Sequence, residues 1–239
     1  MSYAPRQARA GRTREVPLRG VGIKCRSGRS KGTRAAHFTR QAGTTFMTPI
    51  EEMKRPRHGH IFQRDENDRY VEPTWCSWRL LEEKSFHGAI HDPAAGTGQN
   101  LGSARALGLR ATGADLTPCI SGIRAIDFFK DRTKRDNIVC NPLYNGDQIR
   151  KFAEHALELA ERKVALLVPL ARLNAAHWLL QTPLQYVWLL TPRPSVPPHS
   201  CILQGRKPEG GRADFCWLVW ERGFSGAPTL GWLLRDRVS

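Results

Sequence analysis

Nowhere in this 239-residue chain does an apolar run approach the ~20 residues of a membrane-spanning helix. The longest, such as residues 164–168, fall far short, and no charged segment followed by an apolar stretch opens the sequence. The expectation is a cytoplasmic protein with no membrane association. Paired cysteines are also lacking: Cys25, Cys76, Cys119, Cys140, Cys201 and Cys216 are scattered with no Cys-x-x-Cys, which argues against a zinc site and a disulfide framework. His58, His60, His87 and His91 have no nearby cysteine or acidic pair at ligand spacing, so they read as surface or loop residues and no metal is expected. Acidic residues are scarce at the start, where Glu15 is the only one in the first 46 positions.

What that opening segment does contain is arginine and lysine, giving it about +10 of the formal net charge of +15. It has few large apolar residues and no sustained period, so residues 1–46 read as a disordered basic tail. Two other readings stand beside that one: an arm lying along a phosphate backbone, and an over-extended start, since the sequence after Met47 is more ordinary. Clustered basic residues gain affinity for polyanions by releasing counterions, so nucleic acid is the expected partner. Residues 47–69 form a polar lead-in, and residues 70–239 are long enough for one α/β domain with 40% hydrophobic content across the chain. Oligomeric state is left open.

Beyond Pro73, which sets the first turn of a helix running through Trp78, Leu81 and Glu82, the pattern alternates. Short apolar strands end at Asp92, Asp115, Asn141 and Pro169, and helical periods occupy residues 100–107 and 149–160. Residues 184–190 and 214–220 read as two further strands, an antiparallel edge on a mainly parallel sheet with helices on both faces. Between them, residues 192–211 hold too much proline and glycine for anything but a loop.

Two loops carry chemistry. Asp92-Pro93-Ala94-Ala95-Gly96-Thr97-Gly98 stands where a strand hands over to a helix, and its glycines let backbone approach a ligand closely. Asp115 follows at about the 20-residue spacing that places an acid on ribose hydroxyls. A dinucleotide site would want Gly-x-Gly-x-x-Gly at the strand end, whereas here the strand ends in a carboxylate. That suits a ligand with a cationic amino-acid end and no phosphate, namely S-adenosylmethionine; the plainer alternative is a structural turn capped by Asp92.

The second loop is Asn141-Pro142-Leu143-Tyr144, after a strand and before a helix. The Asn141 amide oxygen and the Pro142 carbonyl can accept both hydrogens of an exocyclic amine, and Tyr144 offers a face on which a planar base stacks. A simple Asx-Pro turn remains the alternative. Arg193, in the Pro-rich loop, is either a phosphate contact or a solvated side chain. Trp178, Trp188, Trp217 and Trp220 lie in apolar segments and read as core.

Together these residues resemble the amino-directed class I methyltransferases of the DNA adenine-N6 type, over roughly residues 70–220. Asp92, Pro93, Ala94, Gly96 and Gly98 resemble the family's cofactor motif, Asp115 its ribose-binding acid, and Asp127 and Phe128, with Phe129, its adenine-contacting segment. Tyr70 and Pro73 are similar to the segment closing over the methionine part of the cofactor. Asn141, Pro142 and Tyr144 look like the catalytic Asn-Pro-Pro-Tyr loop, with Leu143 in place of the second proline. The resemblance implies a Rossmann-like fold, S-adenosylmethionine as cofactor, and methylation of adenine N6 in DNA, with Tyr144 and Arg193 on the substrate. RNA adenine or a protein glutamine, whose carboxamide presents a similar NH2, are alternative acceptors, and a noncatalytic nucleic-acid-binding module is the non-enzymatic alternative. No separate target-recognition domain fits in the chain.

Overall fold

Residues 164–168 and 215–220 are apolar at every position, a pattern that fits strands covered on both faces rather than one. In the computed structural model they are such strands, β5 (Ala160–Pro169) and β7 (Phe215–Glu221), paired antiparallel at the centre of the core. The structure describes residues 70–83, 86–144, 147–205, 210–211 and 213–236; the basic segment and lead-in lie outside them.

The remaining elements are α1 (Thr74–Glu83), β1 (Ile90–Asp92), α2 (Gln99–Ala106), β2 (Ala111–Asp115), β3 (Arg124–Ala125), β4 (Arg135–Cys140), α3 (Gln148–Leu159), β6 (Leu184–Thr191), α4 (His199–Leu203) and β8 (Thr229–Leu234). The eight strands run β3-β2-β1-β4-β5-β7-β6-β8 in one sheet. All share one direction except β7, which lies antiparallel between β5 and β6. The fold is therefore α/β, Rossmann-like, mainly parallel with an antiparallel element on its C-terminal side.

The chain crosses from β1 through α2 toward β2, but from β4 through α3 toward β5, in the opposite direction. Right-handed crossovers in opposite directions put α2 and α3 on opposite faces of the sheet. They also open a crevice at the carboxyl ends of β1 and β4, where the strand order reverses.

Trp217 and Trp220 are both fully buried, and their indoles tie loose elements to the sheet. The Trp217 Nε1–H donates to the Cys76 carbonyl at 3.0 Å, seating α1, and Trp220 Nε1–H donates to Thr182 Oγ1 at 2.8 Å while stacking on Trp178. Arg79 of α1, 8% exposed, donates to the Leu234 carbonyl at 2.8 Å and pairs with Glu82 and Glu83. At Gly113 an added Cβ would come within 2.7 Å of Leu101 Cδ1 and 2.8 Å of Ile123 Cδ1, so glycine is what lets β2 sit this close to α2.

Four features depart from the sequence-based expectation. β3 and β8 were not anticipated; β3 is two residues long, and β8 contains Gly231, which carries no side chain for a strand pattern. A short helix, α4, begins after Pro198 inside the segment expected to be loop throughout. His91 is not on the surface but 4% exposed on β1, with Nδ1 2.9 Å from Thr112 Oγ1 and its pKa lowered to about 4 by burial and then by the Arg135 charge. His87 is exposed, and His58 and His60 lie outside the described residues.

Candidate active site

The crevice at the ends of β1 and β4 is a cleft with about 210 Å³ of water-accessible space. Of the residues singled out in the sequence, the structure brings together Tyr70, Asp92, Pro93, Ala94, Gly96, Asp115, Asp127, Phe128, Asn141 and Pro142 on its walls. Pro73, Gly98, Tyr144 and Arg193 are not among the lining residues.

Asp92, at the end of β1, is 1% exposed. Its Oδ1 accepts from the Ala94 amide at 3.1 Å and its Oδ2 from Asn100 Nδ2 at 2.8 Å. Burial pushes its pKa up to about 7; the Asn100 hydrogen bond opposes that shift and the Glu72 charge adds to it. Gly98, with φ of +81°, is the N-cap of α2, and its amide donates to the Ala95 carbonyl at 2.7 Å, which closes the turn. Asp115 holds the loop from β2: Oδ2 accepts from the Gly96 amide at 2.9 Å and Oδ1 from Thr117 N at 2.9 Å.

On the far wall, Asp127 accepts from the Phe129 amide at 3.1 Å and so starts a 3-10 turn over Phe128–Lys130. Phe128 is buried against Phe152 and His155, with ring centroids 4.4 and 4.8 Å away, whereas Phe129 is 40% exposed. Ile126, Phe129 and Phe152 together give this end of the cleft an apolar wall.

Asn141 sits where β4 ends, and both N–H donors of its amide are engaged. Nδ2 donates to the Tyr70 carbonyl at 3.0 Å and to Glu72 Oε2 at 2.7 Å, and the Tyr144 hydroxyl donates to Oδ1. Tyr144 is buried, its ring stacked on Tyr70 at 6.3 Å and tilted against Phe215 at 6.0 Å. Leu143, in the position of the second proline, is 39% exposed on the cleft wall. The Tyr70 segment is itself strapped to the Pro-rich loop: the Val71 amide donates to the Pro197 carbonyl at 2.9 Å, and Tyr70 bridges Pro198. Arg193, further along that loop, pairs with Asp214 at 2.6 Å, both exposed.

Sequence reasoning missed Glu72 and Asn100. Glu72 is 5% exposed, and burial raises its pKa while the Asn141 hydrogen bond opposes the rise. Asn100 is 1% exposed, and its Oδ1 has no hydrogen-bond partner among the described residues. One signal for Asn100 was available, because the first turn of a helix after a glycine loop faces back toward the strand end. Glu72 had none, since its role depends on how a segment before α1 folds over a loop nearly 70 positions later.

The electrostatics of the cleft oppose those of the chain. Its described lining holds Glu72, Asp92, Asp115 and Asp127, with no lysine or arginine, in a protein of net charge +15. Such a site repels phosphates and attracts a cation. Among the described residues no group of three His, Cys, Asp or Glu is arranged to hold a metal, and no helix is long and apolar enough to cross a membrane.

No protein-family model and no curated protein matches the chain in sequence. Solved structures are similar at low identity. A putative RNA methyltransferase from Pyrococcus horikoshii aligns over 62% of this chain and 81% of its own, with 15% identity and a TM-score of 0.45. The M protein of the EcoKI type I restriction enzyme aligns over 65% and 44%, with 13% identity and a TM-score of 0.44. Magnesium protoporphyrin IX methyltransferase from Synechocystis, solved with bound S-adenosylmethionine, aligns over 62% and 76%, with 13% identity and a TM-score of 0.37. At such identities and scores, the assignment of a Rossmann-like α/β fold with one inserted antiparallel strand rests on the strand order and register.

Proposed function

We propose that this protein is an S-adenosylmethionine-dependent N-methyltransferase acting on the N6 amino group of adenine in DNA. The observation that carries the cofactor reading is the acidic, phosphate-averse cleft at the topological switch point, with a buried carboxylate where the glycine loop begins. The residues fit that cofactor. Asp92 and the orphaned Oδ1 of buried Asn100 are acceptors for an ammonium group, Asp115 is an acceptor for ribose hydroxyls, and the Ile126, Phe129 and Phe152 wall suits a purine face. When bound, S-adenosylmethionine supplies an electrophilic methyl on a sulfonium.

The acceptor side belongs to Asn141 and Pro142. The Asn141 Oδ1 has a lone pair beyond the one used by Tyr144, and Pro142 lines the same cleft. Asn141 and Pro142 would hold both hydrogens of the exocyclic amine and so orient its lone pair, while the bound cofactor would supply the methyl group and leave as a neutral thioether; one amine proton would pass to solvent. No strong base is required, so the protein contributes position and electrostatics. Residues 70–239 supply this chemistry in our reading, and the basic residues 1–46 supply affinity for the polyanion.

The test is transfer of tritiated methyl from S-adenosylmethionine to adenine-unmethylated DNA, followed by nucleoside chromatography. N6-methyladenine formed by the wild type and not by Asn141→Ala is the expected result. Label appearing only in RNA or in protein glutamine would overturn the DNA assignment, and absence of saturable S-adenosylmethionine binding would overturn the whole reading.

A further inference from the structure

An asparagine that must accept hydrogen bonds from a substrate amine has a polarity problem, because its amide presents two donors and one acceptor with nearly the same shape. Turned the wrong way, Asn141 would present NH2 to an NH2. Its surroundings decide the matter. The Tyr70 carbonyl and the Glu72 carboxylate both face one end of the amide, at 3.0 and 2.7 Å, and neither has a hydrogen to give when Glu72 is ionised. A flipped amide would set its oxygen against two acceptors, a desolvated contact with no compensation at a site where Glu72 is 5% exposed.

We propose that Glu72 is a positioning residue for methyl transfer: together with the Tyr70 carbonyl it consumes both donors of the Asn141 amide, leaving Oδ1 as the group offered to the acceptor amine. This rests on the methyltransferase reading above. The Tyr144 hydroxyl donates to the same Oδ1 from the other end. The backbone acceptor is itself fixed, since Tyr70 bridges Pro198 and Val71 is bonded to Pro197. Glu72 thus joins the Tyr70 ring, stacked on Tyr144, in holding the loop after β4 to the segment before α1.

The inference predicts that both the reach and the acceptor-only chemistry of Glu72 matter. Glu72→Gln keeps the reach but brings an NH2 of its own, so either orientation of the Asn141 amide finds a partner; Glu72→Asp is acceptor-only when ionised but shortens the reach by one methylene. Misplacing a reacting group by about 1 Å costs ~100-fold in rate. With tritiated S-adenosylmethionine and adenine-unmethylated DNA, both variants are expected to lose ~10- to 100-fold in kcat, the Asp variant with the KM for S-adenosylmethionine within about twofold of wild type. Turnover of either variant at the wild-type rate would overturn the positioning role.

A second readout needs no acceptor substrate. In 15N-labelled protein the Asn141 side-chain NH2, identified by its loss in Asn141→Ala, should show one strongly shifted, slowly exchanging proton that is lost in Glu72→Asp. An unchanged signal in the Asp variant would overturn the proposal. If the wild type methylates no DNA, the functional reading fails on the first measurement, while the side-chain signal still decides whether Glu72 holds Asn141.

Discussion

Asn100 donates from Nδ2 to Asp92 Oδ2 at 2.8 Å, joining the end of β1 to the first turn of α2 beneath the glycine loop. The bond holds a carboxylate that burial would otherwise neutralise: with a pKa near 7, Asp92 is only about half ionised at neutral pH. A cationic ligand needs the ionised form. Affinity for S-adenosylmethionine should therefore fall by up to ~10-fold per unit below pH 6, and fall again above about pH 8 as the ligand's own α-ammonium loses its proton. Calorimetric titration across this range checks it, with Asp92→Asn expected to bind weakly and without the fall on the acid side.

The same shift acts on stability. Asp92 has a folded pKa raised above its unfolded value, so its contribution to stability is fully present below pH 4 and is lost as the pH rises through about 7. In the ligand-free protein the loss is at most roughly 4 kcal/mol at pH 8. Asp92→Asn removes this pH dependence but sets an NH2 against one of the two N–H donors that Asp92 accepts from, so the melting temperature of the variant relative to wild type should be lower at pH 4 than at pH 8. Thermal melts at the two pH values give the answer, and saturating S-adenosylmethionine at pH 8 should shift the comparison toward the wild type by stabilising it alone.

Asn141 and the cofactor loop both line the cleft, at the ends of the neighbouring strands β4 and β1, but they are assigned different roles, which can be tested separately. Asn141→Ala removes the side-chain acceptor for the amine and leaves Asp92, Asn100 and Asp115 in place. The expected loss is ~10²- to 10³-fold in kcat, as for deletion of one preorganised hydrogen-bonding group, with S-adenosylmethionine affinity changed by less than about threefold. Parallel calorimetry and transfer assays on one preparation would show it; equal losses in both would mean that Asn141 serves the fold and not the transfer.

Much of this arrangement was legible from sequence because it depends on local pattern. The carboxylates at the ends of β1 and β2, the glycine turn and the Asn-Pro loop lie at strand ends that short apolar runs mark out, and apart from β3, β8 and α4 the strands and α-helices fall within a few residues of those expectations. The partners that tune these residues were not legible. Glu72 reaches Asn141, and Trp217 reaches Cys76, only through the folded sheet. Tyr144 offered an aromatic face in the sequence, yet in the structure that ring packs between Tyr70 and Phe215, an arrangement set by tertiary packing and invisible to spacing. The edge strand β8 escaped notice for a related reason: Leu230 and Trp232 are 55% and 58% exposed, so no inward and outward alternation marks it.

Gly113 offers a test of how tightly the cofactor loop depends on packing below it. In Gly113→Ala the new methyl would meet Leu101 Cδ1 at 2.7 Å, Ile123 Cδ1 at 2.8 Å and Ala95 Cβ at 3.0 Å, and Ala95 belongs to the loop itself. Overpacking of this kind costs about 1–3 kcal/mol. Denaturant unfolding should show that loss, and S-adenosylmethionine binding should weaken beyond what the lost stability explains, because Ala95, which the new methyl presses on, belongs to the loop.

The charge distribution supplies the last prediction. Four acids line the cleft while about +10 of the net charge sits in the first 46 residues, so cofactor and polyanion are assigned to different parts of the chain. Deleting residues 1–46 should leave S-adenosylmethionine affinity unchanged. Binding to a DNA duplex should weaken, and the slope of log K against log salt should become shallower by ~0.9 for each phosphate that the protein no longer neutralises. Fluorescence anisotropy of labelled duplex at several salt concentrations measures both quantities. An unaltered slope would mean that the surface of residues 70–239, and not the basic segment, neutralises the phosphates.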